Sequence, residues 1–196
     1  MTYHTYYNNV RRAGVPLMGS MASPETGVIA AGLAAGGVIW TYRNPEAATK
    51  PLLIQFLRPL TIVVTAFGTP ITAGRGLDLV RLTPDAPATA DPSGGAAWTP
   101  VKVNSISTES VGVGRIATTG ALTTTGFTAS ARMRKHDMSQ LGAANNNNVN
   151  FWRLVPEEEP MVLRPGEAYA LAASQLMDAT GTFRLICEMS AVELPD

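Results

Sequence analysis

Apolar and polar residues alternate most regularly near the C-terminal end of the chain. In TFRLICEMSAVEL (182–194), Phe183, Leu185, Cys187, Met189 and Ala191 fall on one face. Thr182, Arg184, Ile186, Glu188 and Ser190 fall on the other. A two-residue period with one apolar and one mostly polar face predicts a strand of an antiparallel sheet packed on one side. LDLVRLT (77–83) alternates in the same way, with Leu77, Leu79 and Arg81 opposed to Asp78, Val80 and Leu82. KPLLIQFLRPLTIVVTAFG (50–68) holds two apolar runs split by Arg58 and Pro59, with the β-branched density of Thr61, Ile62, Val63, Val64 and Thr65. Pro59 lacks the N–H that a central ladder needs, so it predicts a strand end, an edge or a bulge.

The intervening stretches are short strand-like runs divided by turn residues. PDAPATADPSGGAA (84–97) reads as a long loop, followed by WTPVKVNSIST, the Thr- and Gly-rich segment 111–135, the polar loop Asn145, Asn146, Asn147, Asn148, and NFWRLV. No segment of comparable length carries a convincing 3.6-residue period. Many short strands between Gly/Pro loops predict an all-β fold, an antiparallel β-sandwich of jelly-roll-like type. Residues 1–44 differ: they hold Tyr3, Tyr6, Tyr7, Arg11, Arg12 and repeated Gly and Pro breakers without periodicity. They predict an extended N-terminal arm, with the sandwich body at 45–196. Tyrosines in such an arm offer large contact area at low entropic cost, which suits docking on a partner.

Composition narrows the function. In 196 residues, 15 basic and 15 acidic side chains cancel, which removes the electrostatic footprint of a nucleic-acid or anionic-membrane binder. Charged residues make up 15%, against a usual share of about 25%, so part of the surface is expected to be covered by other protein. The lone Cys187 leaves no internal disulfide. GVIAAGLAAGGVIW (27–40) is apolar but shorter than the roughly 20 residues of a spanning helix. Its glycines suit close backbone packing against protein, and no membrane role is expected. MTYHTYYNNVRR has no apolar core, so no secretory signal is expected there.

Candidate chemistry is sparse. His4 and His136 lack a second histidine at metal-ligand spacing, and one cysteine cannot compose a zinc site, so no metal and no cofactor is expected. His136 lies in the basic run RMRKHD and reads as part of a solvated loop. Cys187 on the apolar face reads as inert core, and no G-x-S-x-G occurs. No enzymatic role is therefore expected. Trp40, Trp98 and Trp152 leave a carbohydrate- or receptor-binding module open, although Trp in sandwiches is more often buried. Arg132, Arg134 and Lys135 form a basic patch whose natural complement is Glu157, Glu158 and Glu159, on the same or a neighbouring copy. In MVLRPGEAYAL, Pro165 and Gly166 fit the centre of a type II turn between a strand at 161–163 and one at 169–173.

The strand MVLRPGEAYAL (161–171), the loop QLMDATGT (175–182) and the closing strand TFRLICEMSAVEL together resemble the capsid decoration (cement) proteins of tailed bacteriophages and related β-sandwich head proteins. The likeness covers about the last 40 residues. It implies a structural virion protein made in the host cytoplasm, a homo-oligomer (trimer) bound to the major capsid protein at the capsid surface. It implies an arm reaching across capsid subunits; a tail or neck component of the virion shares the same features. It carries no catalytic residue with it. The residues expected to meet the partner are Tyr3, Tyr6, Tyr7, Arg11, Arg12, Arg132, Arg134, Glu157, Glu158 and Glu159.

Overall fold

A computed structural model describes residues 21–68, 75–98, 112–138, 148–149, 152–153 and 161–193. Among them every regular element is a strand: β1 Met21–Ala22, β2 Val38–Arg43, β3 Leu52–Thr65, β4 Gly76–Pro84, β5 Ala96–Trp98, β6 Val113–Ile116, β7 Phe127–Ala129, β8 Arg134–Asp137, β9 Asn148–Val149, β10 Trp152–Arg153, β11 Met161–Leu163, β12 Ala168–Ala173 and β13 Thr182–Glu193. Sheet A runs β1-β13-β3, with β11, β10 and β9 set end to end along the far side of β3. Sheet B runs β5-β6-β2-β12-β4, with β7 and β8 sharing the outer side of β4. All these pairings are antiparallel. The all-β, antiparallel sandwich expected from the sequence is the fold.

The alternation in β13 works as read: Phe183, Leu185, Cys187, Met189 and Ala191 are all fully buried, with the half-exposed Arg184, Ile186 and Glu188 between the first four. Its long partner β3 stays matched through two irregularities. Val64 falls between the pairs Thr65–Thr182 and Val63–Phe183, and Gln55 between Phe56–Ser190 and Ile54–Ala191. The extra residue at Gln55 inverts the phase of β3, so Leu52 and Ile54 join Leu57 in the core instead of pointing away.

Pro59 does not end the strand. It sits opposite Cys187, whose N–H donates to Ser23 Oγ and whose carbonyl accepts from Ser23 N, on the side away from β3. In an antiparallel ladder such a pair directs both backbones outward, so the Pro59 nitrogen faces away from β13. On that side lie β10, opposite Leu57, and β9, opposite Leu60, and residues 150–151 between these two lie outside the described residues.

The boundary expected at residue 44 does not hold. The strand β2 lies inside sheet B, hydrogen-bonded to β12 on one side and β6 on the other, and all six of its residues are buried. Residues 21–30 lie along β13, where Ser23, Thr26 and Ile29 donate backbone N–H groups to Cys187, Leu185 and Phe183. The same segment reaches sheet B, with Gly27 N bonded to Ala117 O and Ala30 N to Thr119 O. It is a seam joining the two sheets. A Cβ on Gly27 would lie 1.8 Å from the Thr118 carbonyl oxygen, so glycine alone allows this approach. Gly27, one of the breakers that suggested an arm, serves a close contact within the body. Residues 1–20 lie outside the described residues.

The strand β12 is buried along its whole length, which its small residues Ala168, Ala170, Ala172 and Ala173 permit. Leu77 and Leu79 are buried on one face of β4, and Val80 and Leu82 on the other. Sheet B is therefore covered on both sides, by sheet A and by the connecting segments. Trp40, Tyr42 and Trp98 stack within it, at ring separations of 6.1 and 5.8 Å.

Candidate functional site

The RPGE segment connects β11 of sheet A to β12 of sheet B, so it is a crossing between the layers and not a hairpin. Gly166 has φ +87°, and Glu167 N donates to Arg164 O at 3.0 Å, as a type II turn requires. The Glu167 carboxylate accepts the Arg164 N–H at 2.9 Å, so the flanking acid clamps backbone and not the guanidinium.

Arg43, the last residue of the buried strand β2, and Asn44, which follows it, hold this crossing. Gly166 N donates to Asn44 O and Asn44 N to Glu167 O, both at 2.9 Å. The Asn44 amide donates to the carbonyls of Lys50 and Leu163. Arg43, only 2% exposed, donates from Nε to Gly166 O at 2.9 Å and from Nη1 to Thr89 O and the Asp91 carboxylate, at 3.1 and 2.5 Å. Glu46 stands 3.6 Å from Nη2, and the Phe127 ring lies against the guanidinium. One buried cation thus gathers the crossing turn, the 85–95 loop and β7. Sequence reasoning missed this residue, since its hydrogen-bond partners lie 46 to 123 positions away.

Two further polar groups brace the sheets. Arg75 is buried with its guanidinium 4.0 Å from the Phe67 ring centre and 3.8 Å from the Asp178 carboxylate. Burial lowers its pKa, and the Asp178 charge opposes that. His136 corrects the expectation of a solvated loop residue. It sits in β8, fully buried, sharing a 3.1 Å hydrogen bond from Nε2 to Thr61 Oγ1 across the interior. Burial lowers its pKa to about 4, with Asp137 opposing, so the ring is neutral at pH 7. Its neighbours Lys135 and Asp137 lie on the opposite face of the strand, and that alternation was the available signal.

Of the expected contact residues, Arg132 and Arg134 are described. Arg132 is exposed, with Nη1 3.5 Å from Asp78 Oδ1 of its own chain, and Arg134 lies half-buried in β8, opposite Leu79. Tyr3, Tyr6, Tyr7, Arg11, Arg12, Glu157, Glu158 and Glu159 lie outside the described residues. Trp40 and Trp98 are core residues and form no exposed platform. Cys187 is fully buried, and burial raises its thiol pKa well above the ordinary value. Among the described residues no cluster of three metal-ligating side chains occurs, and no helix is long and apolar enough to cross a membrane.

The outer face of sheet A has a different character. Arg58 forms an ion pair with Glu188 across the β3–β13 ladder, and Arg184 pairs with Glu25 at 3.2 Å. Between these pairs lie the half-buried Leu60, Ile62 and Ile186, and Val64 is 47% exposed. An aliphatic band thus occupies a face where a solvated sheet would carry polar residues. No protein-family model matches this chain, and neither a characterised protein nor a solved structure shows detectable similarity to it.

Proposed function

We propose that the chain is a structural virion protein, a capsid decoration protein that binds and stabilises the shell of a phage head. The observation that carries this reading is the use made of the buried polar side chains. Arg43, Asn44, Arg75 and His136 each tie one layer or loop to another. Such bracing suits a body that resists load, and the resemblance of about the last 40 residues to phage head proteins points to the shell as its source. The partner is the major capsid protein, and the chain acts as a homotrimer of jelly-roll-like bodies at the capsid surface after synthesis in the host cytoplasm. Tyr3, Tyr6, Tyr7, Arg11 and Arg12 reach the shell ahead of the seam, and Arg134 with Glu157, Glu158 and Glu159 adds charged contacts. Several attachment points raise the effective concentration of each, so modest single contacts suffice.

A sugar-binding module is the weaker reading, because the burial of Trp40 and Trp98 leaves Trp152 alone as a platform. The test is cosedimentation of the purified chain with expanded empty heads, and separately with tails, of the phage that encodes it. Saturable binding to heads is expected. Binding to tails alone would assign it to the tail or neck, and binding to neither would remove the virion reading.

A further inference from the structure

Of the four residues of β8, only His136 is buried, and its ring bonds across the interior. Nε2 meets Thr61 Oγ1 of sheet A at 3.1 Å, whereas Nδ1 is enclosed without a hydrogen-bond partner. β8 lies on the outer side of β4, with His136 opposite Leu77 and Arg134 opposite Leu79. Among the described residues β4 is the only strand it pairs with. An edge strand held on one side opens at lower cost than a strand inside a sheet. His136 is its buried tie to the other layer.

That tie depends on the ring being neutral. An imidazolium carries two N–H donors and a charge. Nε2 can still donate to Thr61 Oγ1, but Nδ1 meets no acceptor, and an unpaired buried charge is costly. The surroundings do not offset it. The inward residues of β3 and β13 beside Thr61 are Val63, Leu185 and the un-ionised Cys187, and β4 presents Leu77 and Leu79. β9 contributes Asn148 and Val149, which do not titrate. On the same face of β8, two residues back, stands another cation, Arg134. Arg75, whose carbonyl accepts from Met138 N, directs its guanidinium towards Asp178 at 3.8 Å. Lys135 and Asp137 lie on the outward face of β8, from which Asp137 opposes only part of the effect of burial.

We propose that His136 is an acid-released latch, whose protonation frees β8 from the sandwich while both sheets otherwise stay folded. The proton is taken up in the open form, where the ring reaches water and both nitrogens find partners. The sign follows from the ring's ordinary pKa of 6.5 when open and about 4 when closed. The closed form keeps its full stability above pH 6.5 and loses it progressively as pH falls to about 4. The opening equilibrium moves toward the open strand by roughly 20-fold from pH 7 to pH 5, and by roughly 100-fold from pH 7 to pH 4. Opening bares the backbone edge of β4 at residues 76–79, which β8 covers at neutral pH. Nothing in this latch depends on the virion reading.

Hydrogen exchange on the full chain, read by mass spectrometry at pH 7 and pH 5 as protection relative to the unstructured rate at each pH, tests it. Residues 134–138 are expected to be less protected than 168–173 of β12 at pH 7, and to lose roughly another 20-fold at pH 5. The near-ultraviolet circular dichroism is expected to be retained at pH 5. H136Q cannot charge and is expected to keep its neutral-pH protection at pH 5. An NMR titration in H4Q, where His136 is the only histidine, needs no change at the latch and is expected to give a pKa of about 4.

A ring that titrates near its ordinary 6.5 overturns the latch, whether or not H136Q folds. So does wild-type protection of 134–138 that is unchanged between the two pH values, or an H136Q with the same pH dependence. Protection equal to that of β12 at both pH values, or loss of the aromatic signal at pH 5, would mean that β8 opens only with the whole fold, and would overturn it as well.

Discussion

Deletion of residues 1–44 is predicted to destroy the fold, whereas deletion of residues 1–20 keeps every described element. Residues 21–44 contribute Ile29, Val38, Ile39, Trp40 and Tyr42 to the core, all at most 5% exposed. Burial of each large apolar side chain stabilises by about 1.5–3 kcal/mol, so these five account for roughly 8–15 kcal/mol. Total stabilities of single domains are about 5–15 kcal/mol, so the loss matches or exceeds what is available. The deletion also removes β2 from between β12 and β6 and strips Arg43 and Asn44 from the RPGE crossing. The assay is a thermal melt followed by far- and near-ultraviolet circular dichroism on chains 21–196 and 45–196. Chain 21–196 is expected to melt cooperatively with an intact aromatic signal, and chain 45–196 to show neither. A cooperative transition of 45–196 within a few degrees of that of 21–196 would refute the placement of β2 and return residues 21–44 to an arm.

Three other outcomes are expected. His136 is neutral when buried, so the unfolded chain binds one more proton between its ordinary pKa of 6.5 and about 4. Stability is then full above pH 6.5 and falls as pH drops through that window, by up to about 3 kcal/mol; H136Q should flatten this slope in urea titrations between pH 7 and 5. R43M retains bulk but abandons the carbonyls of Gly166 and Thr89 and the Asp91 carboxylate, and should cost about 3 kcal/mol in denaturant unfolding. Cys187 should fail to react with a thiol reagent in the native protein and react fully after denaturation, because it is buried and its thiolate is disfavoured.

β13 was legible in the sequence because one side meets the interior and the other does not, and its phase could be read residue by residue. β2 escaped that reading, because a strand buried on both faces has no period to detect, whereas the equally buried β12 was expected at 169–173 from the turn that precedes it. VIWTYR followed a glycine-rich stretch, and its position inside sheet B was decided by partners at 113–116 and 168–173. Pro165 and Gly166 announced their turn through local backbone chemistry, but not that it crosses between layers. Arg43 and His136 looked like ordinary surface residues, since what buries them comes from distant parts of the chain. The contact residues expected from composition were chosen for charge and aromaticity, and neither property carries information about position.

The seam along β13 also bears on how the molecule is made. Thr26 and Leu185 are 159 positions apart, yet the Thr26 hydroxyl accepts the Leu185 N–H, and among the described residues no other strand of sheet A lies beside residues 21–30. A ribosome adding about 5–20 residues per second needs roughly 8–30 seconds to deliver that partner. Through that interval sheet A lacks the strand that joins its first segment to β3, so closure of the sandwich waits on synthesis of β13. Folding that depends on such distant pairing is slow and exposes unpaired edges in the meantime. Truncations near the C-terminal end, even of a few residues within β13, are therefore expected to harm the soluble yield more than comparable lesions in the 85–95 loop.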